Sequence, residues 1–171
     1  MHSLADLNRA GRAAFVGALG QVFEQSPWVA ERAHAARPYA SVAALHEAMM
    51  QAVRGASRAE QLALVRAHPE LAGREAVAGT LTADSTTEQS RLGINALPRP
   101  EYERIRKLNR RYSERFGFPC IIALRLHADR ASVLAEFEWR LANDAEAEIG
   151  NALEQIGHVT RGRLEKLLKE D

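Results

Sequence analysis

Apolar residues recur every three or four positions along most of the chain, whereas alternation at every second position over four or more residues is hard to find. This spacing predicts an all-α protein, a single compact helical bundle of about seven to nine helices. No repeat, low-complexity tract or linker interrupts the pattern. One domain over residues 1–171 is therefore predicted.

Three helices are predicted before the first irregular segment, residues 70–81, where glycines replace the apolar period. Ser41 is placed to cap the second of these helices. Ser57 and Glu60 have the spacing of a capping box at the start of the third, which is expected to end at His68. The apolar faces of the three helices lie within 15–23, 42–53 and 62–65.

Four more helices are predicted in the second half of the chain. Ser85 and Glu88 have the spacing of another capping box, so a helix is expected to begin there and to close at Gly93. Residues 118–124 form a short apolar run that is either a buried strand or a buried helical turn, and periodicity does not decide between them. The other three helices carry apolar stripes within 102–116, 133–141 and 149–167. Gly117 is placed to end the first of these three, and Asp129 or Ser132 to begin the second.

Composition and charge exclude several classes of function. The chain has 23 Lys and Arg against 22 Asp and Glu, so no net basic field attracts a polyanion and no nucleic-acid partner is expected. Cys120 is the single cysteine, which excludes an internal disulfide and a thiolate-bound metal site. No apolar run is long enough to span a membrane, and the first residues make a poor signal peptide. A cytoplasmic protein is expected.

Arg163 is the first candidate for a functional charge. It lies seven residues after Ile156, within the apolar stripe of the last helix, whereas Arg161 points well away. On periodicity alone, the favoured interpretation is a long stem that covers the rim of the core with its charged head in water. The alternative is a carboxylate clamp in a cleft, because the planar guanidinium binds an anion through two parallel hydrogen bonds.

His68 is the second candidate, because Pro69 follows it and disfavours helical backbone at position 68. A constrained turn would then display an imidazole that exchanges protons near neutral pH. On the sequence alone, the favoured interpretation is a simpler one, a histidine that stabilises the end of a helix dipole.

A run of polar side chains is the third candidate site. Glu88 is most simply the reciprocal arm of the capping box. The alternative is a ligand site, because five consecutive hydrogen-bonding side chains would stand at a helix N-terminus, where free backbone amides favour an anion. These side chains are Ser85, Thr86, Thr87, Glu88 and Gln89.

Four sequence blocks, taken in order, resemble the 2-oxo-4-hydroxy-4-carboxy-5-ureidoimidazoline (OHCU) decarboxylase family over essentially the whole chain. They are HPELAG (68–73), LTADSTTEQ (81–89), LNRRYSERFGFPCIIALR (108–125) and the terminal RL (163–164). The resemblance implies an all-helical decarboxylase that forms (S)-allantoin and CO2 in urate catabolism, with a small-molecule substrate and without metal or organic cofactor. It also suggests a homodimer.

The same resemblance implies roles for individual residues. His68 corresponds to the catalytic acid/base, Glu88 to its carboxylate partner and Arg163 to the site arginine, with Arg161 as the alternative. Cys120 stands where the family commonly has a bulkier apolar residue. The implied substrate contacts are Pro69, Ser85, Thr86, Thr87, Gln89, Pro119, Cys120, Ile121, Ile122 and Ala123.

Two other functions stay open at this point. One is a non-enzymatic helical interaction module that docks an acidic partner through Arg163 and the basic helix within 104–115. The other is an enzyme of the same fold that acts on a related ureido acid, for which Cys120 marks the difference.

Overall fold

The computed structural model describes residues 2–169, with the side chain of residue 75 excepted. Contacts between Cα atoms divide these residues into two units, 2–64 with 157–169 and 65–156. The single domain over residues 1–171 therefore stays a prediction. Within 2–169 there are ten α-helices, eight of them with seven or more residues, and a parallel pair of two-residue strands. The all-α prediction is confirmed.

The first unit contains the N-terminal helices and the end of the last helix. In this unit α3 packs against α2 and α4, and Phe15, Leu19, Leu45 and Met49 are completely buried. Its elements are β1 (His2–Ser3), α1 (Leu4–Arg9), α2 (Arg12–Leu19), α3 (Pro27–Ala33), α4 (Val42–Arg54), most of α5 (Arg58–Ala67), the end of α10 (Ala145–Leu167) and β2 (Leu168–Lys169).

Five helices precede residue 70, so the prediction of three was wrong. The predicted first helix is interrupted after Leu19, and Val22 and Phe23 are buried in the turn that follows. Periodicity misses this break because the apolar spacing continues through the turn. Pro27 then occupies the first turn of α3, where a backbone N–H would have no acceptor within the helix. The six residues of α1, capped by Ser3, are too few to show a period.

The second unit contains the end of α5, four complete helices and the first part of α10. The buried face of α8 is formed by Ile105, Leu108, Asn109, Tyr112 and Phe116. The four complete helices are α6 (Arg74–Ala78), α7 (Ala83–Arg91), α8 (Arg99–Phe116) and α9 (Arg130–Arg140).

Most predicted helix ends are confirmed. Ser41 caps α4 and Asp129 caps α9, each accepting a hydrogen bond from the backbone amide three residues further on, at 3.1 and 2.8 Å. Ser57 and Glu60 form the predicted capping box, with hydrogen bonds of 2.9 and 3.3 Å. Gly117 ends α8 in the left-handed conformation, with φ of 76°.

Two predictions between residues 70 and 92 were wrong. The expected loop over 70–81 contains α6, which shows no apolar stripe because Arg74, Val77 and Ala78 are exposed. The capping box of Ser85 and Glu88 does not form. The cap of α7 is Thr82, whose hydroxyl oxygen accepts a hydrogen bond from the Ser85 amide at 3.3 Å.

Residues 118–123 are neither of the two structures that the sequence left open. They are extended and irregular, and a 3-10 turn, Leu124–Leu126, follows them. Phe118 and residues 120–123 are buried, so their backbone groups cannot rely on water. Side chains of α9 and α10 supply hydrogen bonds instead of a neighbouring strand.

Candidate active site

His68 is presented by an irregular turn, as the proline after it predicted. α5 ends at Ala67, and residues 68–73, called here the His68 turn, continue without regular structure. His68 is 7% exposed. Ala72 has a φ of 48°, a left-handed conformation that an alanine rarely adopts. The conformation of this turn therefore depends on contacts from elsewhere in the unit.

Two side-chain amides hold the His68 turn. The Gln89 Oε1 accepts a hydrogen bond from the Ala72 amide at 3.0 Å, and its Nε2 donates to the Glu70 carbonyl at 3.3 Å. Asn109 Nδ2 donates to the Leu71 carbonyl at 2.8 Å. Three consecutive backbone groups are thus bonded to α7 and α8. Substrate binding by Gln89 stays a prediction, and its amide contacts protein backbone in this structure.

The polar run of α7 is divided between the inside and the outside of the unit. Ser85 and Gln89 are buried, whereas Thr86 and Thr87 are exposed and donate their hydroxyls to carbonyls one turn earlier, both at 2.9 Å. Glu88 is half-buried and lies six residues after the cap Thr82. The interpretation of Glu88 as a capping arm is therefore wrong.

His68 and Pro119 line one cavity of about 220 Å³ in the second unit. Two arginines, a glutamate and the imidazole make its wall strongly polar, which suits a small polar ligand. Glu88 is not among the described residues of this wall. The lining residues are Arg66, His68, Glu70, Arg74, Ser113, Gly117, Phe118 and Pro119.

The segment after Pro119 is fixed by side chains of α9 and α10. Arg140, 1% exposed, donates from Nη1 to the Ile121 carbonyl at 2.6 Å and from Nε to Glu148 Oε2 at 2.9 Å. Gln155 Oε1 accepts a hydrogen bond from the Ala123 amide at 2.8 Å. Arg140 and Gln155 were not predicted as site residues, although an arginine three residues after the buried Phe137 lies in the register of the buried face.

Burial also sets the chemistry of the single thiol. Cys120 is 1% exposed, and its side chain is enclosed near Tyr112 and Arg140. This burial raises the pKa of the Cys120 thiol to about 12. Because the thiol stays protonated at neutral pH, it does not act as a nucleophile there.

Glu148 is completely buried and accepts hydrogen bonds from four side chains, Tyr112, Arg140, Asn143 and Asn151. Burial would raise the pKa of Glu148, but these hydrogen bonds and the positive charge of Arg140 outweigh it, and the pKa lies below its ordinary value. The carboxylate is therefore charged in the folded protein and neutralises the guanidinium beside it.

We expect acid to destabilise the protein partly through Glu148. Its folded-state pKa lies below the ordinary value of 4.5, so its contribution to stability is complete above pH 4.5 and is lost as the pH falls through the folded-state pKa. The carboxyl ¹³C shift of Glu148, followed by NMR beside urea unfolding at each pH, measures this. A titration midpoint at or above 4.5 would contradict it.

Arg163 lies in the first unit and is 4% exposed. Its Nη1 donates to Glu24 Oε2 at 2.9 Å and to the Val22 carbonyl at 3.3 Å. The interpretation with the charged head in water is therefore wrong, because the guanidinium is buried with a carboxylate. Arg161 forms a more exposed ion pair with Glu165, at 2.7 Å.

Residues 2–169, the side chain of residue 75 aside, contain no group of three or more His, Cys, Asp or Glu side chains arranged to hold a metal ion. None of their helices is both long and apolar enough to cross a bilayer. The expected absence of a metal or cofactor stays a prediction.

Comparisons with known proteins give concordant results. A sequence model of the OHCU decarboxylase family matches residues 8–165. The chain is 39% identical over 166 residues to the 2-oxo-4-hydroxy-4-carboxy-5-ureidoimidazoline decarboxylase of Haloferax volcanii, covering 96% of each chain. It is 37% identical over 154 residues to the protein of the same name from Mus musculus, covering 90% of this chain and 86% of the other.

A solved structure resembles the fold. The crystal structure of (S)-allantoin synthase matches with a TM-score of 0.77 and 28% sequence identity. The match covers 99% of this chain and 54% of the other, so this chain spans about half the length of that protein.

Proposed function

This chain belongs to the OHCU decarboxylase family, as its sequence blocks predicted, and on that premise we propose that it converts OHCU to (S)-allantoin and CO2. The observation that carries the proposal is the buried His68, displayed by an irregular turn beside a polar cavity. The relatives are named as decarboxylases, and no observation favours an interaction module. A cytoplasmic location, a homodimer and the absence of a nucleic-acid partner stay predictions.

The reaction needs an electron sink and a carrier of protons. When the bond to the departing CO2 breaks, its electron pair enters the ring imine of the substrate and gives an enolate-like species. The hydroxyl-bearing carbon then becomes the carbonyl of allantoin, while a proton is added to the neighbouring carbon. We assign this proton transfer to His68, because an imidazole both accepts and donates protons near neutral pH.

Two other charged residues have proposed roles. Glu88 would fix the tautomer of His68 or stabilise its charged form. Arg163 would hold the hydroxyl or the developing oxyanion, because a clamp on the departing carboxylate would stabilise the ground state more than the transition state. In this structure its guanidinium is bonded to Glu24 within the first unit, so this role stays a prediction.

The remaining predicted contacts concern the shape of the pocket. Pro69 lies in the His68 turn and Pro119 in the segment after α8, and their rings present no amide hydrogen to a ligand. The buried residues 120–123 would contribute backbone rather than polar side chains. If the substrate is a related ureido acid, the smaller Cys120 is the position at which the pocket would differ from that of the family.

The direct test generates OHCU from urate with urate oxidase and hydroxyisourate hydrolase. Circular dichroism then follows the formation of chiral allantoin in the presence and absence of this protein. We expect faster product formation and an excess of the S enantiomer. Racemic allantoin at the rate of the reaction without the protein would contradict the proposal and direct attention to related ureido acids.

A further inference from the structure

We propose that Asn109 is a positioning residue that holds the His68 turn in its active conformation. The inference rests on the proposed function of His68. Asn109 itself takes no part in the proton transfer. Asn109 lies on α8, on the face formed otherwise by apolar and aromatic side chains, and is 5% exposed.

The hydrogen bonds of Asn109 show what its amide contributes. Its Nδ2 donates to the Leu71 carbonyl at 2.8 Å, whereas its Oδ1 is buried and has no hydrogen-bond partner among the described residues. A buried acceptor without a partner costs free energy. A leucine of similar size would avoid that cost but would leave the buried Leu71 carbonyl unpaired, so the two costs offset each other and stability alone does not require an asparagine here. The useful part of the side chain is its one donated hydrogen bond.

The position of that bond links it to His68. Leu71 follows His68 by three residues, and Arg66 precedes it by two and donates to the Gly117 carbonyl at 3.0 Å. Both bonds therefore join the chain around His68 to α8 or to its end. Ser113, Gly117 and Pro119 line the same cavity as the imidazole. Asn109 thus helps to set the distance between the imidazole and the wall that would contact substrate.

Gln89 does not replace this function. It bonds the Glu70 carbonyl and the Ala72 amide from α7, which fixes the left-handed residue of the turn but leaves the Leu71 carbonyl to α8. Because a displacement of about 1 Å costs about 10²-fold in rate, the loss of one of these two attachments is enough to impair proton transfer.

Two variants separate positioning from stability. Asn109→Asp keeps the size of the side chain but turns a carboxylate oxygen toward the Leu71 carbonyl, and Asn109→Leu removes the donor together with the buried acceptor. We expect both to lower kcat about 10²-fold with little change in KM, since the predicted substrate contacts outside the His68 turn stay in place. The matched control is Asn95→Asp, because the exposed Asn95 donates to Ser90 at 2.8 Å and should keep wild-type kcat.

The melting temperatures and the NMR spectra of the variants show whether a loss of kcat comes from positioning or from lower stability. We expect Asn109→Leu to melt close to the wild type, because one unpaired buried acceptor replaces another. We also expect the ring resonances of His68 to shift in both Asn109 variants but not in Asn95→Asp. Wild-type kcat and unchanged His68 resonances in a folded Asn109→Leu protein would overturn the inference. So would losses of kcat that only follow the melting temperature. Full activity of His68→Ala would instead refute the proposed role of His68 in catalysis. The His68 resonances of the Asn109 variants would still show whether Asn109 positions the turn.

Discussion

Replacement of His68 by alanine is expected to lower kcat for OHCU by about 10²–10⁴-fold, the usual contribution of a positioned acid/base group. The protein should stay folded, because one side chain is shortened at a turn that Gln89 and Asn109 still hold. The chiral allantoin assay measures the rate, and far-ultraviolet circular dichroism measures helix content and melting.

The control for this prediction is another partly buried histidine of the same unit. His127 contacts Ser132 and Glu136 at 3.0 and 2.9 Å, away from the His68 turn in sequence. We expect His127→Ala to keep the wild-type rate within a few-fold. A His68→Ala protein with unchanged circular dichroism and near-wild-type turnover would show that another group transfers the proton.

The same measurements of turnover and melting test Glu88, because the structure shows that Glu88 is not the capping arm of α7. Since Thr82 caps α7, Glu88→Ala deletes no cap and should leave the melting temperature nearly unchanged. If Glu88 supports His68, the same variant should lose most of its turnover. A lowered melting temperature with intact turnover would assign Glu88 to stability instead.

Replacement of Arg140 by methionine is expected to destabilise the protein by about 3–5 kcal/mol, the usual cost of leaving one member of a buried ion pair alone. Glu148 would stay buried without its cation, and the Ile121 carbonyl would lose a hydrogen bond of 2.6 Å. Urea unfolding followed by circular dichroism gives the free energy of unfolding for the wild type and the variant.

Two further variants test this explanation. Arg99→Met breaks the exposed ion pair with Glu103 and should not measurably change stability, because such pairs are screened by water. Adding Glu148→Leu to Arg140→Met removes the uncompensated charge, so the double variant should lose less stability than the sum of the two single variants. Equal losses for Arg140→Met and Arg99→Met would contradict the importance of burial.

The helical fold could be predicted from the sequence wherever the deciding contacts are local. Ser41, Asp129 and Gly117 act on backbone groups within a few residues. The identity of each residue was therefore sufficient to predict the helix end that it forms. Thr82 and Ser85 compete for the same role three residues apart, and the choice between them depends on the burial of Ser85. The path of segment 118–123 could not be predicted, because the side chains that hydrogen-bond to its backbone belong to α9 and α10.

The candidate site could be predicted only in part for the same reason. Pro69 was enough to indicate that His68 leaves the helix. The register of Arg163 placed it in the apolar stripe, but periodicity favoured a charged head in water, whereas the guanidinium is buried with Glu24. Asn109 and Arg140 lie in buried registers by the same rule. Their hydrogen bonds, however, go to the Leu71 and Ile121 carbonyls, 38 and 19 residues away in sequence. No local sequence pattern identifies a partner at that separation.

The extended segment after α8 receives two of its backbone hydrogen bonds from the side chains of Arg140 and Gln155. Its path is therefore specified by residues outside it, whereas in a sheet the path depends on the neighbouring strands. A substitution at position 140 or 155 can therefore shift the backbone of residues 121–123 without changing any residue of the segment itself.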